Sequence, residues 1–347
     1  MGIFEINPDI RRAETLASDF YTDERYFDES KEKIFARTWQ FAGHADEIKN
    51  VKPHTILEGF LDEPVLITKN GGEFNCLSNV CTHRGKILIE KPCEANLIRC
   101  GYHGRRFDLS GKFLSMPEFE TVENFPSEKD NLPKVAFGVW EKFLFASVNP
   151  FAPLDDFFSE MQEKLAPLNL ANLKFASAQD YEIKAHWALY CENYLEGFHI
   201  PFVHQSLNEA IDFASYTTET FRFSSLQTGI AKNDENTFDF DKTRAALYFF
   251  VFPNLMLNFY PWGLSVNVVK PLKKDLTRVS YLTFVSDESK LNRGAGADLN
   301  RVELEDQAVV ESVQKGIRSR FYNRGRYSPA REQGTHHFHR LIAEFMN

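Results

Sequence analysis

The chain has 347 residues, 43% of them hydrophobic and 26% charged, with a formal net charge of −9. That composition suits a soluble globular protein with room for two domains, and the negative balance argues against a nucleic-acid footprint. No apolar run reaches membrane-spanning length, Met1-Gly2-Ile3-Phe4-Glu5 lacks a basic-then-apolar signal pattern, and five cysteines leave no even disulfide framework, so a cytoplasmic protein is expected.

In chain order, residues 1–37 read as a helical segment, clearest over 28–36, expected to pack on the second domain. From 38 to 150, short alternating runs such as 64–68 and 139–148 are separated by Gly, Pro and Asn, which predicts a compact all-β domain. Within it, 87–89 and 97–99 are β-prone and 107–113 reads as a hairpin. Beyond Pro150, a helix at 154–165, a strand at 178–185, a helix from Trp187, several long strands and a closing helix predict a second domain over 151–347 and an α+β fold. Residues 232–236 read as an exposed turn. Residues 287–298 read as a loop, since Gly294 and Gly296 lack the leading strand and third glycine of a dinucleotide fingerprint.

The all-β domain carries Cys81-Thr82-His83 and, after sixteen intervening residues, Cys100-Gly101-Tyr102-His103. Two thiolates and two imidazoles in this order fit an asymmetric Rieske [2Fe-2S] centre, with sulfur ligands on one iron and nitrogen ligands on the other. Zinc is the competing reading, although zinc ligands usually come as C-x2-4-C and H-x3-5-H pairs. Gly85 and Gly104 follow the two pairs, where short loops must turn and bring N–H groups towards sulfur. Cys76 and Cys191 read as buried apolar residues and Cys93 as an ordinary free thiol.

A second constellation is Glu192-Asn193-Tyr194-Leu195-Glu196-Gly197-Phe198-His199-Ile200-Pro201-Phe202-Val203-His204. On a continuous helix Glu192, Glu196 and His199 share one face, and Pro201 is expected to bend the chain so that His199 and His204 converge. Two converging imidazoles and a carboxylate make the facial triad of non-haem Fe(II) oxygenases. The carboxylate is sought on the helical stripe of Asp306, Val310, Val313 and Ile317, where an inward acid needs a cation. Asp306 is the favoured ligand, with Glu303 and Glu305 as alternatives and pairing with Arg301 as the bland reading. The aromatic and polar run 252–262 offers side chains for a pocket, including an aromatic cage for a quaternary ammonium. His336, His337 and His339 read as partly exposed imidazoles on the closing helix.

Together these motifs, with the Glu305-Asp306 to Gln314-Lys315-Gly316 helix, resemble the catalytic α subunits of Rieske non-haem iron oxygenases, over nearly the whole chain. The resemblance implies an N-terminal Rieske domain, a C-terminal helix-grip catalytic domain and a head-to-tail homotrimer. It implies a [2Fe-2S] cluster on Cys81, His83, Cys100 and His103, a mononuclear Fe(II) on His199, His204 and Asp306, and O2 as co-substrate. Glu196 matches the acidic bridge that links an iron histidine of one subunit to a cluster histidine of the next. A Glu there is similar to the choline, carnitine and betaine oxygenase branch, from whose pattern Gly197 departs where Cys is usual. Arg105 likewise stands where many relatives have Trp. The activity implied is hydroxylation or N-demethylation of a small organic substrate, a quaternary ammonium compound being favoured, with electrons from a separate NAD(P)H-dependent reductase, with or without a ferredoxin. Aromatic-ring dihydroxylation is the runner-up, and a Rieske electron carrier or redox sensor is the alternative of a different class.

Overall fold

The computed structural model describes residues 2, 4–233 and 236–347. The chain divides into two compact units, Ala36–Phe151 and the described residues up to Phe35 together with Ala152–Asn347. The N-terminal stretch supplies α1 (Ser18–Thr22) and α2 (Glu24–Lys33). Asp23 caps the second, its carboxylate accepting from the Arg25 N–H at 2.9 Å.

The unit Ala36–Phe151 contains β1 (Gln40–His44), β2 (Val51–Ile56), β3 (Glu63–Asn70), β4 (Glu73–Ser78), β5 (Ile98–Arg99), β6 (Arg106–Phe107), β7 (Phe113–Ser115), β8 (Ala136–Trp140) and β9 (Phe143–Ser147). They form small antiparallel sheets ordered β1-β9-β8, β2-β3-β4 and β5-β6-β7. Val65, Leu66 and Ile67 are consecutive and fully buried, so β3 is covered on both faces. The run 139–148, read above as one segment, is instead part of a hairpin that turns at Glu141 in a left-handed conformation. Residues 87–89 do not form a strand. The Asn79 side chain holds both the N–H and the carbonyl of Ile89, at 3.0 and 2.7 Å, leaving those groups no need of a ladder. The 107–113 turn forms as expected, wrapped on Asp108, whose Oδ1 accepts from the N–H groups of Ser110 and Lys112.

The other unit continues with α3 (Asp155–Leu165), β10 (Lys174–Ile183), α4 (Trp187–Tyr194), α5 (Ile200–Val203), α6 (Gln205–Ala210), β11 (Thr217–Thr220), β12 (Ser224–Ile230), β13 (Arg244–Val251), β14 (Leu255–Tyr260), β15 (Gly263–Lys273), β16 (Leu276–Val285), α7 (Leu299–Gly316) and α8 (Gln333–Met346). Its seven strands make one antiparallel sheet, β10-β16-β15-β14-β13-β12-β11. The central strands are buried on both faces, and the faces differ in chemistry. Leu226, Phe249, Leu257 and Val266 lie in one cross-strand row, all apolar; the next row holds Gln227, Tyr248, Asn258 and Ser265. A polar row inside a buried sheet faces either partners or a cavity.

Several expectations change. The strand read at 178–185 spans Lys174–Ile183, and α7 stops at Gly316. Val313 is exposed, so the buried stripe of α7 runs through Glu303, Val310 and Gln314, with Ile317 buried at its C-cap. His337 of α8 is half-buried, but His336 and His339 are buried rather than partly exposed: His336 Nε2 meets the Asn7 carbonyl at 2.8 Å, and His339 meets Tyr327 Oη at 2.5 Å and Glu192 at 3.0 Å. The turn expected at 232–236 falls partly outside the described residues, at Asp234 and Glu235. No helix among the described residues is long and apolar enough to cross a membrane.

Candidate metal centres

In the unit of small sheets, Cys81 and Cys100 sit inside a cluster of Val51, Leu66, Leu77, Ile98 and Phe107, while His103 is exposed and His83 half-buried. The two loops are built alike. The Gly85 N–H donates to the Cys81 carbonyl at 3.0 Å and the Gly104 N–H to the Cys100 carbonyl at 3.1 Å. Both glycines hold φ near +70°, at 70° and 75°, a conformation that side chains disfavour. The Tyr102 N–H lies 3.5 Å from the Cys100 sulfur, and the rings of His83 and His103 have centroids 4.9 Å apart. Burial raises the Cys81 thiol; at Cys100 it is outweighed by N–H groups of Tyr102 and His103 and by the Cys81 thiol, which lower that thiol and favour its thiolate. Among the described residues, the only His, Cys, Asp and Glu groups of three or more with ligand atoms within 4.8 Å of one another are His199, His204 and Asp306. In the cysteine-histidine site the sulfurs are buried while the two histidine rings pair on the more exposed side, so sulfur and nitrogen donors are segregated, as the two irons of an asymmetric cluster require and one zinc ion does not.

Arg105 packs beside this site with 2% of its surface exposed, donating to Asp130 Oδ1 at 2.6 Å and lying over the rings of Phe113 and Phe125 at 4.8 and 5.5 Å. It fills an aromatic niche as a Trp would, but brings its counter-ion. Asp130 keeps Ser127 as a second donor, so Arg105→Met is expected to cost this unit about 3 kcal/mol, the low end for breaking a buried pair. Urea unfolding of the metal-loaded protein measures it.

The second centre begins where α4 ends. Glu196 takes the N–H groups of Phe198 and His199, the donors a continuing helix would send back to Tyr194 and Leu195. Gly197 allows the break to pack: a Cβ there would lie 2.6 Å from the Tyr216 ring, which explains why this chain has no Cys at that position. The helix face expected to join Glu192 to Glu196 and His199 therefore does not exist. Glu192 turns instead to Tyr21 Oη at 2.7 Å and to His339. Pro201 does not bend a helix either. It sits in the first turn of α5, where its missing N–H needs no partner, so His199 and His204 bracket one short turn and their Nε2 atoms lie 3.1 Å apart.

The proton inventory of these rings is decisive. His199 Nδ1 is 2.8 Å from Glu196 Oε1, and His204 Nδ1 is 2.8 Å from Glu305 Oε2. Carboxylates accept, so each Nδ1 carries a proton and each Nε2 presents a lone pair. Asp306 Oδ1 joins them, 3.0 Å from His204 Nε2 and 3.6 Å from His199 Nε2. Three acceptors thus converge on one point, an arrangement that repels unless a proton or cation lies among them. Burial opposes charge on His204, yet Asp306 and Glu305 outweigh it and raise its imidazole above the ordinary value. The donor set is of the 2-His-1-carboxylate type and fits a transition metal.

Of the three acids considered as ligands, Asp306 is the one that meets both Nε2 atoms. It also accepts from Asn193 Nδ2 at 2.6 Å, a contact the sequence reading missed although Asn193 lies within the motif. Glu305 is an outer partner, tied to Arg301 at 3.0 Å. Glu303 is held by the hydroxyls of Tyr190 and Tyr281. Burial pushes the Glu303 carboxyl up to about 7, the tyrosines opposing and Asp306 adding to the rise. An unfolded chain ionises it near 4.5, so stability present below that pH is lost progressively as pH rises to about 7, by roughly 3 kcal/mol. Glu303→Gln, which cannot ionise, is expected to remove most of that loss. Urea unfolding at pH 5 and pH 8 measures the difference.

These groups line one cavity. Its helical wall carries His199, His204, Glu303 and Asp306; its sheet wall is the polar row together with Tyr260, Asn267 and Tyr281. Tyr194 and Tyr216 also line it, as do the apolar Leu207, Leu299 and Val302. No periodicity in the sequence marks Tyr216 as part of the site.

A cysteine-histidine site suited to an electron-transfer cluster and a facial triad facing a tyrosine-lined pocket, on one chain, define a Rieske-type oxygenase. Residues 38–126 match the Rieske [2Fe-2S] domain, and residues 170–347 match the ring hydroxylating alpha subunit (catalytic domain). The chain belongs to this α-subunit family and is a terminal oxygenase component, with the α+β order of domains expected from sequence. It is 31% identical to the chloroplastic choline monooxygenase of Arabidopsis thaliana, over 98% of this chain and 85% of that protein. It is also 31% identical to the carnitine monooxygenase oxygenase subunit of Escherichia coli K12, over 98% of this chain and 96% of that subunit. The solved structure of a quaternary ammonium Rieske monooxygenase matches with a TM-score of 0.82 at 25% identity, over 99% of this chain and 100% of that one.

Proposed function

We propose that this subunit oxidises a small quaternary ammonium compound by hydroxylation or N-demethylation beside the nitrogen, with electrons drawn from NAD(P)H through a separate reductase, with or without a ferredoxin. The observation that carries this reading is the tyrosine-walled cavity beside the triad. A quaternary ammonium has no N–H to donate and is held by aromatic faces and a counter-charge. The Tyr248 and Tyr260 rings meet at 79° with centroids 5.9 Å apart, and Tyr194 meets Tyr248 at 89° and 6.5 Å, so the faces point in several directions, as a cage requires. Aromatic-ring dihydroxylation is less well supported, because a hydrocarbon would leave Gln227 Oε1 without a partner and lie against a wall of Asn and Ser side chains it cannot engage.

In this reading Cys81, His83, Cys100 and His103 hold one [2Fe-2S] cluster, and His199, His204 and Asp306 hold one Fe(II). When bound, these centres supply one-electron transfer and O2 activation. Glu196 and Glu305 keep protons on the two Nδ1 atoms and so aim both Nε2 lone pairs at the metal. Asn193 fixes the Asp306 oxygen. The tyrosines orient the substrate and exclude bulk water. In a homotrimer, Glu196 would further join His199 to a cluster histidine of the neighbouring subunit.

The test is turnover of a trimethylammonium panel by the metal-loaded subunit with NADH and a Rieske-oxygenase reductase. Substrate-dependent NADH oxidation, with formaldehyde or an aldehyde formed in step, is expected. Turnover confined to aromatic rings, or absent with a reductase that does reduce the cluster, would contradict the reading.

A further inference from the structure

The cavity separates charge from neutrality by wall, and that separation restricts the substrate further. Every acidic or histidine side chain that lines it comes from the helical side, from Glu196, His199, His204, Glu303 and Asp306. Every lining residue of the sheet is neutral, and no lysine or arginine lines the cavity among the described residues. The nearby cation Arg301 is engaged by Glu305. If Asp306 belongs to a metal and Glu196 to His199, Glu303 is the remaining acid, with 2% of its surface exposed.

Each wall also has a spare acceptor. The Gln227 amide donates to the Tyr194 carbonyl at 2.6 Å, leaving its Oε1 without a partner, and Glu303 Oε1 is likewise unpaired. Ser265 Oγ donates to Asn267 Oδ1 at 2.8 Å, using one acceptor within the wall itself. A ligand tail bearing a hydroxyl brings a donor to such a surface. A tail bearing a carboxylate, pointed at the sheet wall and away from the triad, brings only acceptors and a negative charge; the Tyr248 hydroxyl, without a partner, is a donor that could meet it, and no lysine or arginine offsets the charge.

Resting on the ammonium reading above, we propose that the cavity selects quaternary ammonium compounds that are cationic overall, with a neutral hydroxyl-bearing tail, and rejects zwitterions that carry a carboxylate. The cation sits against Glu303, whose carboxyl gives up its proton to solvent as the ammonium binds and so becomes the counter-charge, and the Gln227, Asn258, Ser265 and Asn267 wall receives the tail. Of the two kinds of substrate that the relatives' names state, this chain is built for the choline kind and against the carnitine kind.

The experiment is calorimetric binding to the metal-loaded holoenzyme, kept anaerobic, of two matched pairs. Choline is compared with glycine betaine, and 4-(trimethylammonio)butan-1-ol with 4-(trimethylammonio)butanoate, so that each pair differs at the tail's end and chain length is varied separately. The alcohol of at least one pair is expected to bind roughly 100-fold or more tightly than its carboxylate. Equal binding within both pairs, or tighter binding of the carboxylates, would overturn the selection while leaving the ammonium reading intact. Binding of none of the four, in a protein whose iron and sulfide are fully loaded, would overturn the ammonium reading itself. As a second measurement, Glu303→Gln is expected to weaken the alcohols about 10-fold and leave the carboxylates unchanged or tighter; an equal loss for both would remove Glu303 from the selection.

Discussion

His204→Ala is expected to reduce the iron content of reconstituted protein from three to two per chain, to leave acid-labile sulfide at two, and to abolish substrate oxidation. His204 is buried at 1% exposure and meets Glu305 through one nitrogen and Asp306 and His199 through the other. Its removal leaves one imidazole and one carboxylate, too few to hold the ion, while the Cys81 and Cys100 loops lie in a separate compact unit. The visible spectrum of the cluster should therefore persist. Iron and sulfide analysis with that spectrum measures all three outcomes. Retention of the third iron with normal turnover would move the metal elsewhere.

Glu196→Gln has the second largest expected effect and a different signature. The glutamine oxygen can still receive the N–H groups that Glu196 takes from Phe198 and His199, so the break after α4 survives. Its amide cannot also accept the His199 Nδ1 proton, and the ring loses the carboxylate that fixes it at 2.8 Å. Both metal centres should remain loaded while turnover falls about 10- to 100-fold, the usual cost of losing an outer partner of a metal ligand. Stopped-flow spectroscopy adds a readout that a merely structural role would not move. Cluster reduction by the reductase should be unchanged, and substrate-dependent reoxidation should slow with turnover. Normal steady-state activity would remove Glu196 from the coupling.

Much of this site was legible before folding because its chemistry is local. The C-x-H and C-x2-H loops carry their own turn glycines, and the His199 to His204 spacing needs only one short turn to bring both rings together. What sequence could not give was the partner of each side chain. Glu192 and Glu196 look equivalent on a helical wheel, yet Glu196 spends its carboxylate on two backbone N–H groups and thereby ends the helix that would have aligned them. Glu303, Glu305 and Asp306 lie within four positions of one another, and only their distances to the imidazoles separate ligand candidate, outer partner and cavity wall. Asn79 holds the 87–89 run out of a sheet by side-chain bonds that no propensity records. The Tyr216 ring beside Gly197, and the neutral row across β12 to β15, depend on register between strands distant in sequence.

The most direct test of the account is the count of iron, zinc and acid-labile sulfide per wild-type chain after anaerobic reconstitution. Three irons and two sulfides, without zinc, are predicted. Two irons and two sulfides in fully active protein, or zinc in place of the cluster, would contradict a Rieske centre serving an iron held by His199, His204 and Asp306.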